Sequence, residues 1–437
     1  MTSPHVSGAP AQERNRTQAL NLRCRCITVD EAALAQALAD AIGDAGLYDT
    51  LRRERPHLTS STAVFVARAD IERMRAIIHA METAAAHPAY RERALATAPP
   101  GARFDPGSSG VFLGYDFHIS PEGPKLIEIN TNAGGAALNA VLAQASRACC
   151  PEAEGMLTGA ADPARVEHVF VEMFLSEWHA SGRARPLEHI AIADDDPATQ
   201  YLYPEFRLFE AMFRRHGLRA TIVDAAALEL HEGKLRHGAA PIDLVYNRLT
   251  DFALEEPRHA ALRAAYLAGA AVVTPHPRAH ALYADKRNLI ALTDEAFLRA
   301  LALPEDIVRT LRAGIPRTVA VTPDRAEEFW RERRRWFFKP AAGFGSRAAY
   351  RGDKLTKRVF AEILKGPYVA QERADPAERS VPPDNAPRAL KFDIRNYVYR
   401  GQVQLIAARL YQGQTMNFRT AGGGFAPVFY PVAPLTE

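Results

Sequence analysis

Two stretches of the chain carry side chains suited to metal and phosphate chemistry. The first is Lys125-Leu126-Ile127-Glu128-Ile129-Asn130-Thr131-Asn132-Ala133-Gly134-Gly135, with Asp116 upstream. Glu128 and Asn130 are two residues apart, so on an extended strand they share one face. The turn-forming run Ser120-Pro121-Glu122-Gly123-Pro124 separates them from the apolar, aromatic residues 110–119. A hairpin centred on Glu122 sets Asp116 opposite Glu128, six residues to either side. Two acids and one amide then converge on one face. Magnesium takes hard oxygen ligands, usually one or two carboxylates plus substrate phosphates, and this set provides them. The plainer alternative is a polar hairpin with solvated carboxylates.

The second stretch is Phe337-Phe338-Lys339-Pro340-Ala341-Ala342-Gly343-Phe344-Gly345-Ser346. Lys339 ends an apolar strand and sets a positive charge where phosphates can meet it. Gly343 and Gly345 let backbone N–H groups approach those phosphates, and Ser346 adds a hydroxyl. The spacing is neither a Walker A loop nor a Rossmann fingerprint; a simple turn between strands is the alternative. Arg248 follows the apolar run Leu244-Val245-Tyr246-Asn247. Ligands of open parallel sheets gather beyond the carboxyl ends of strands, which makes Arg248 a candidate for a substrate carboxylate. Asp194, Asp195 and Asp196 lie beyond another strand end, as candidates for an amine or simply a solvated acidic loop. His276 and His280 have Pro277 between them and no third ligand nearby, so zinc is not expected. No Ser-His-Asp or Cys-His set is readable.

The elements that position these residues follow from periodicity. Residues 29–53 and 70–85 read as two helices that pack together, the first capped by Asp30. Residues 189–193, 219–223, 242–247 and 271–274 read as strands, with a helix over 205–216 whose Phe206, Phe209, Met212 and Phe213 form one stripe. That alternation predicts a small, mostly parallel sheet in a separate domain. Residues 281–325 read as a helical connector. Strands at 336–339, 348–351, 368–371, 392–399 and 403–410 form a second half that leans antiparallel, and 374–387 reads as a loop. The expected division is a disordered tail at 1–20, a helical region with the hairpin at 21–185, an α/β substrate domain at 186–278, and connector helices with a nucleotide-binding lobe at 279–437.

Composition narrows the classes. The chain has 437 residues, 47% hydrophobic and 24% charged, as in ordinary globular proteins of two or three domains. A net charge of +3 gives no nucleic-acid footprint. No apolar run reaches transmembrane length, and the first residues lack a signal peptide's apolar core. Cys24, Cys26, Cys149 and Cys150 form no zinc-like pattern, and are expected to be reduced thiols of a cytoplasmic protein.

Together the two stretches resemble the metal-binding and nucleotide-binding halves of the ATP-grasp ligases. Their order is reversed, as in the circularly permuted branch that includes eukaryotic-type glutathione synthetase. The resemblance covers about residues 110–135 and 286–427. The fold class it implies is α+β with α/β: a circularly permuted ATP-grasp fold with an inserted small parallel-sheet domain. It gives Asp116, Glu128 and Asn130 the role of holding two magnesium ions that bridge the phosphates of ATP. Lys286, in Ala284-Asp285-Lys286-Arg287, resembles the family's other phosphate-facing lysine. Tyr368-Val369-Ala370-Gln371-Glu372-Arg373-Ala374 resembles the segment around adenine, which implies base contacts by Gln371 and Ala374 and a ribose contact by Glu372 or Asp375. Asp393-Ile394-Arg395, Arg409 and Asn417-Phe418-Arg419-Thr420-Ala421-Gly422-Gly423-Gly424 resemble a series in glutamate-adding ligases. By that likeness Asp393 and Arg395 line the nucleotide site and Arg409 grips the transferring phosphoryl group. Arg419, Asn417 and Gly423 close over the acyl-phosphate or acceptor. The implied reaction joins a carboxylate to an amine through an acyl-phosphate, releasing ADP and phosphate. Its substrates are small molecules, with no nucleic-acid or membrane partner, and a homodimer is admitted. One departure stands out: the permuted synthetases carry an acid shortly after the late lysine, where this chain has Ala341-Ala342-Gly343. That points to a related amino-acid or peptide ligase rather than glutathione synthetase. A small-molecule kinase and a non-catalytic nucleotide-binding protein are the alternatives.

Overall fold

The structure is a computed structural model and describes residues 9–24, 26–147, 156–158, 163–343, 348–382 and 388–431. An eight-stranded sheet forms its centre. Along its main path the strands run Val64–Phe65, Gly424–Pro431, Gln402–Tyr411, Arg388–Tyr399, Leu113–Ser120 and Gly123–Asn130, with Glu378–Val381 and Met156–Thr158 added alongside. Arg388–Tyr399 and Gln402–Tyr411 are joined by Arg400-Gly401, both at positive φ, the geometry that matches the twist of a two-residue hairpin. Arg388–Tyr399 pairs in turn with the Asp116 strand, and neither strand pairs with Trp336–Pro340. The expected nucleotide lobe at 279–437 is therefore split. Its last strands belong to the central sheet, because their long alternating runs bury residues on both faces.

The lobe proper is a four-stranded antiparallel sheet ordered Thr318–Ala320, Tyr368–Glu372, Trp336–Pro340, Tyr350–Arg351. Its own core gathers Phe329, Trp336, Phe338, Phe360 and Ile363. Thr318–Ala320 was expected to be part of a helical connector; three residues are too few to show a period. Residues 374–387 were expected to be loop throughout, yet Glu378–Val381 is a strand paired with Arg388–Tyr399.

The parallel sheet is as predicted, ordered Val272–Thr274, Leu244–Asn247, His189–Asp194, Arg219–Asp224, all pairs parallel. The helix Tyr203–Arg215 buries Phe206, Phe209, Met212 and Phe213 against it. A three-stranded antiparallel sheet, Leu228–His231, Lys234–His237 and Ala240–Pro241, adds to it.

Three helical expectations change. Ala9–Arg23 is a helix, not part of a disordered tail. Asn21 holds it by donating to the Phe65 carbonyl (2.7 Å) and accepting from the Phe65 N–H (2.9 Å), and Arg14 pairs with Asp70. The span 29–53 splits into Glu31–Ile42 and Leu47–Glu54, because Gly43 turns left-handed at φ 79° and ends the first. Glu31–Ile42 and Arg68–Ala86 do not share a core; their buried residues fall in separate clusters.

Candidate functional site

The hairpin places Asp116 directly opposite Glu128. The turn itself pairs Ser120 with Gly123, half a step off the expected centre. A bulge between Asp116 and Phe117 then inserts Ile127 as an extra residue and restores the register. The bulge has a second effect. The Ile127 carbonyl accepts from Lys339 Nζ at 2.8 Å, which ties the lobe to the hairpin.

Asn130 gathers the two acids, donating from Nδ2 to Asp116 Oδ2 (2.8 Å) and Glu128 Oε1 (3.2 Å). The acids then diverge. Glu128 is half-buried and faces cations. Burial pushes its carboxyl up, but Lys286, Lys339 and Arg409 outweigh that, with help from the Asn130 bond, and hold it at about 2. Asp116 is fully buried and receives four donors: Arg395 Nε (2.7 Å) and Nη2 (2.7 Å), Arg409 Nη2 (2.7 Å) and Asn130 Nδ2. Three of these donors meet Oδ2 and one meets Oδ1, and the whole residue is 0% exposed, so it offers no oxygen to the cleft. The expected role of Asp116 as a metal ligand does not fit this arrangement. It is the counter-ion that fixes two arginines.

Arg409 also forks onto Asp393, through Nε (2.7 Å) and Nη2 (2.8 Å). Burial raises the Asp393 carboxyl against the pull of Arg409. Among the described residues Nη1 of Arg409 has no protein acceptor, so one arm of the fork remains for an anion.

The opposite wall comes from the lobe and the segment before it. Lys339 donates to the Ile127 carbonyl and to Gln371 Oε1 (2.8 Å). Burial, reinforced by Lys286, lowers its ammonium to about 8 despite Glu128 and Asp116. Lys286 donates to the Gly343 carbonyl at 3.1 Å. Gln371 is 2% exposed, and its Nε2 has no partner. A buried donor left unbonded costs about 1–3 kcal/mol, so this group awaits an acceptor.

These residues fit a nucleotide with magnesium in part. Glu128 and Asn130 Oδ1 are hard oxygen donors; Lys286, Lys339 and Arg409 Nη1 suit phosphates; Gln371 Nε2 suits a base or sugar acceptor. Other expected contacts are already engaged. The Ala374 carbonyl takes a 2.5 Å bond from His118 Nδ1. Glu372 pairs with Arg335, and Asp375 with Arg373 at 2.7 Å. Gly345 and Ser346 lie outside the described residues, as do Cys149 and Cys150.

The loop around Arg419 works differently from the expected flap. Asn417 spends its side chain on its own loop, donating to Gln412 O (2.8 Å) and accepting from the Arg419 N–H (3.0 Å) and Thr420 Oγ1 (3.0 Å). A Cβ on Gly423 would stand 2.5 Å from the Leu410 carbonyl, and on Gly424, at φ 100°, 2.5 Å from the His57 carbonyl. Both glycines are packing requirements of the strand that starts there. Arg419 itself is exposed.

Arg248 lies close to the hairpin's end. It donates to the Tyr246 hydroxyl at 3.0 Å and stands 3.6 Å from Glu205, which accepts from the Gly135 (2.9 Å) and Ala137 (3.1 Å) N–H groups. A Cβ on Gly134 would come within 2.8 Å of Arg248 Nη2, so the glycine permits this approach. The buried Nε of Arg248 has no partner. Burial pushes Asp194 up to about 7. Asp195, Glu256 and His259 offer ligand atoms within 4.8 Å of one another. Both ring nitrogens of His259 are spent on Asp195 (2.9 Å) and Asp251 (2.8 Å), so an ion network accounts for this cluster.

Sequence reasoning missed His118, although it lies two residues from Asp116 on the same strand face. His280, weighed above only as a zinc ligand, stacks on Phe252 at 4.1 Å and bonds Thr131 Oγ1 at 2.9 Å, bracing the hairpin's end. No local signal marks the Ile127 bulge.

No family model matches the sequence, and comparison with curated proteins finds no match. Solved structures do match. A glutathione synthetase-like effector from Globodera pallida, in its apo form, is 13% identical with a TM-score of 0.57, covering 93% of this chain and 98% of that one. A putative gamma-glutamylcysteine synthetase from Methylobacillus flagellatus is 9% identical with a TM-score of 0.45, covering 80% and 84%. An ATP-grasp ligase solved with its minimal precursor is 15% identical with a TM-score of 0.28, covering 56% and 90%. The fold is thus similar to that of the glutathione synthetase-like effector. No helix among the described residues is long and apolar enough to cross a membrane.

Proposed function

We propose that the chain is an ATP-dependent ligase that joins a carboxylate, of an amino acid or peptide, to an amine. The observation that carries this reading is Glu128, held ionised between Lys286, Lys339 and Arg409 where the lobe meets the hairpin. Phosphoryl transfer demands mainly positioning and charge neutralisation, and three converging cations beside a metal-competent acid serve both.

ATP would lie between the lobe and the hairpin. Lys286 and Lys339 would hold its phosphates, and Gln371 would donate to its base or ribose. Magnesium, held by Glu128 and Asn130, would neutralise phosphate charge. Arg409 Nη1 would grip the phosphoryl group as it passes to the substrate carboxylate, while Asp116 and Asp393 keep the guanidinium from turning away. The substrate carboxylate bond to phosphorus forms as the bond to ADP breaks. The amine then displaces phosphate. Arg248, whose Nε is unpartnered and whose Nη2 lies beside Gly134, is the group for a second substrate carboxylate, and the exposed Arg419 would close over the cleft. On this reading the order of the two halves is that of the permuted branch, and the residues 186–278 form the substrate domain.

A screen of amino acids and short peptides for ADP and phosphate release tests this. Release that depends on one acid and one amine together is the expected result. A phosphorylated acid accumulating without any amine would make the chain a kinase. ATP turnover that ignores every candidate amine would remove the ligase reading.

A further inference from the structure

We propose that the cleft takes one divalent cation with its nucleotide rather than two, and that the buried Asp116–Arg395–Arg409–Asp393 network stands in for the second ion. This rests on reading the cleft as a nucleotide site. Two magnesium ions between a protein and a triphosphate need more than two protein oxygens. Asp116 presents none to the cleft: it is 0% exposed, with three donors on Oδ2 and Arg395 Nε on Oδ1. Beyond Lys339 the sequence offers no acid until Asp353, and Arg351 Nε holds that carboxylate at 2.8 Å. Asp393, 2% exposed, is held by the Arg409 fork, so among the described residues of the cleft Glu128 and Asn130 Oδ1 remain. Two oxygens plus substrate phosphates complete one magnesium shell.

Charge points the same way. Among the described residues Lys286, Lys339, Arg395 and Arg409 face Asp116, Glu128 and Asp393, while Glu205, which also feels Arg395, is paired with Arg248, so the cleft is cationic before any metal enters. A second divalent ion would sit against fixed like charges in a buried, low-dielectric site. Arginine also binds phosphate through a planar fork that a metal does not need to organise. The network therefore supplies the second ion's charge as part of the fold.

The test is a titration of the full-length protein with Mn²⁺ at saturating AMPPNP, reading free Mn²⁺ by electron paramagnetic resonance and bound AMPPNP by equilibrium dialysis. The expected plateau is one Mn²⁺ per bound AMPPNP. A plateau of two, with AMPPNP bound, overturns the single-ion proposal and leaves the nucleotide reading standing. Absence of AMPPNP binding overturns both. Glu128→Gln should lose the bound Mn²⁺ at concentrations that saturate the parent, and retention of it contradicts the ligand assignment. Asp116→Asn should melt at a lower temperature yet still bind one Mn²⁺ per nucleotide. Loss of Mn²⁺ from folded Asp116→Asn protein would make Asp116 a ligand and refute the proposal. If that variant does not fold, the parent's plateau decides.

Discussion

On the hairpin wall of the cleft, Asp116, Asp393, Arg395 and Arg409 are 0–7% exposed and spend their charges on one another. On the lobe wall, Lys339 borrows a carbonyl from across the cleft and Gln371 buries an unbonded Nε2. The first wall holds its charges in place without a ligand and leaves one guanidinium arm, Arg409 Nη1, for it; the second buries a donor with no partner at all. Strand register explains the difference. Asp116, Arg395 and Ala407 lie side by side across three paired strands, as do Asp393 and Arg409 across two, so sheet pairing fixes the ion network. The lobe has its own small sheet and core, and meets the hairpin through individual side chains. Changes on the hairpin wall should therefore register in stability and catalysis, and changes on the lobe wall in nucleotide binding.

The largest effect is expected from Glu128→Gln, which removes the acid not already claimed by arginine. ADP formation should fall by about 10²–10³-fold, the scale for losing a group that stabilises transition-state charge. Turnover within threefold of the parent would remove Glu128 from the chemistry. Next comes Arg395→Met, which leaves Asp116 short of two bonds. Breaking a buried pair from one side costs about 3–5 kcal/mol, readable by urea denaturation. A loss below about 1 kcal/mol would show that the hairpin wall is not the rigid one.

Lys339 offers a titration. Its ammonium, lowered to about 8, carries charge below that pH and loses it above. Nucleotide affinity should be level below pH 8 and fall with rising pH by up to about tenfold per unit. Lys339→Arg should flatten the profile, and an unchanged slope would assign the titration elsewhere. Gln371→Met should weaken ATP binding by about 1 kcal/mol in calorimetry; it removes an unbonded buried donor but also the Oε1 acceptor of Lys339, so the melting temperature should change little. A lower melting temperature with unchanged affinity would reverse its place in the comparison. Arg419→Ala should be smallest in stability, within about 0.5 kcal/mol, since the side chain is exposed. Any effect should appear in kcat, and a larger stability loss would show an unsuspected packing role.

Much of the hairpin wall was legible because a period of two places Glu128 with Asn130 and Asp116 opposite them. The register came out right through two offsetting features, a turn half a step early and a bulge at Ile127. The parallel sheet was legible through its alternation of strands and the aromatic stripe at Phe206, Phe209, Met212 and Phe213. What sequence could not give was pairing between distant strands. Nothing local says that Arg395 crosses to Asp116 or that residues 388–431 leave the lobe for the central sheet. The resemblance gives Gly422-Gly423-Gly424 to a loop that closes over the acyl-phosphate or acceptor. Close approach of the Leu410 and His57 carbonyls makes Gly423 and Gly424 packing residues instead. Ala9–Arg23 was missed because its helix is held by Asn21 and Arg14 rather than by an apolar stripe.

The most direct test of the account is carried out with hydroxylamine and ATP across a panel of amino acids and short peptides. Hydroxylamine captures an activated carboxylate as a hydroxamate without needing the natural amine. The account predicts a hydroxamate from at least one acid, formed with one ADP each, and absent in Glu128→Gln. Formation of AMP and pyrophosphate in its place, or a yield unaffected by the loss of Glu128, would contradict it.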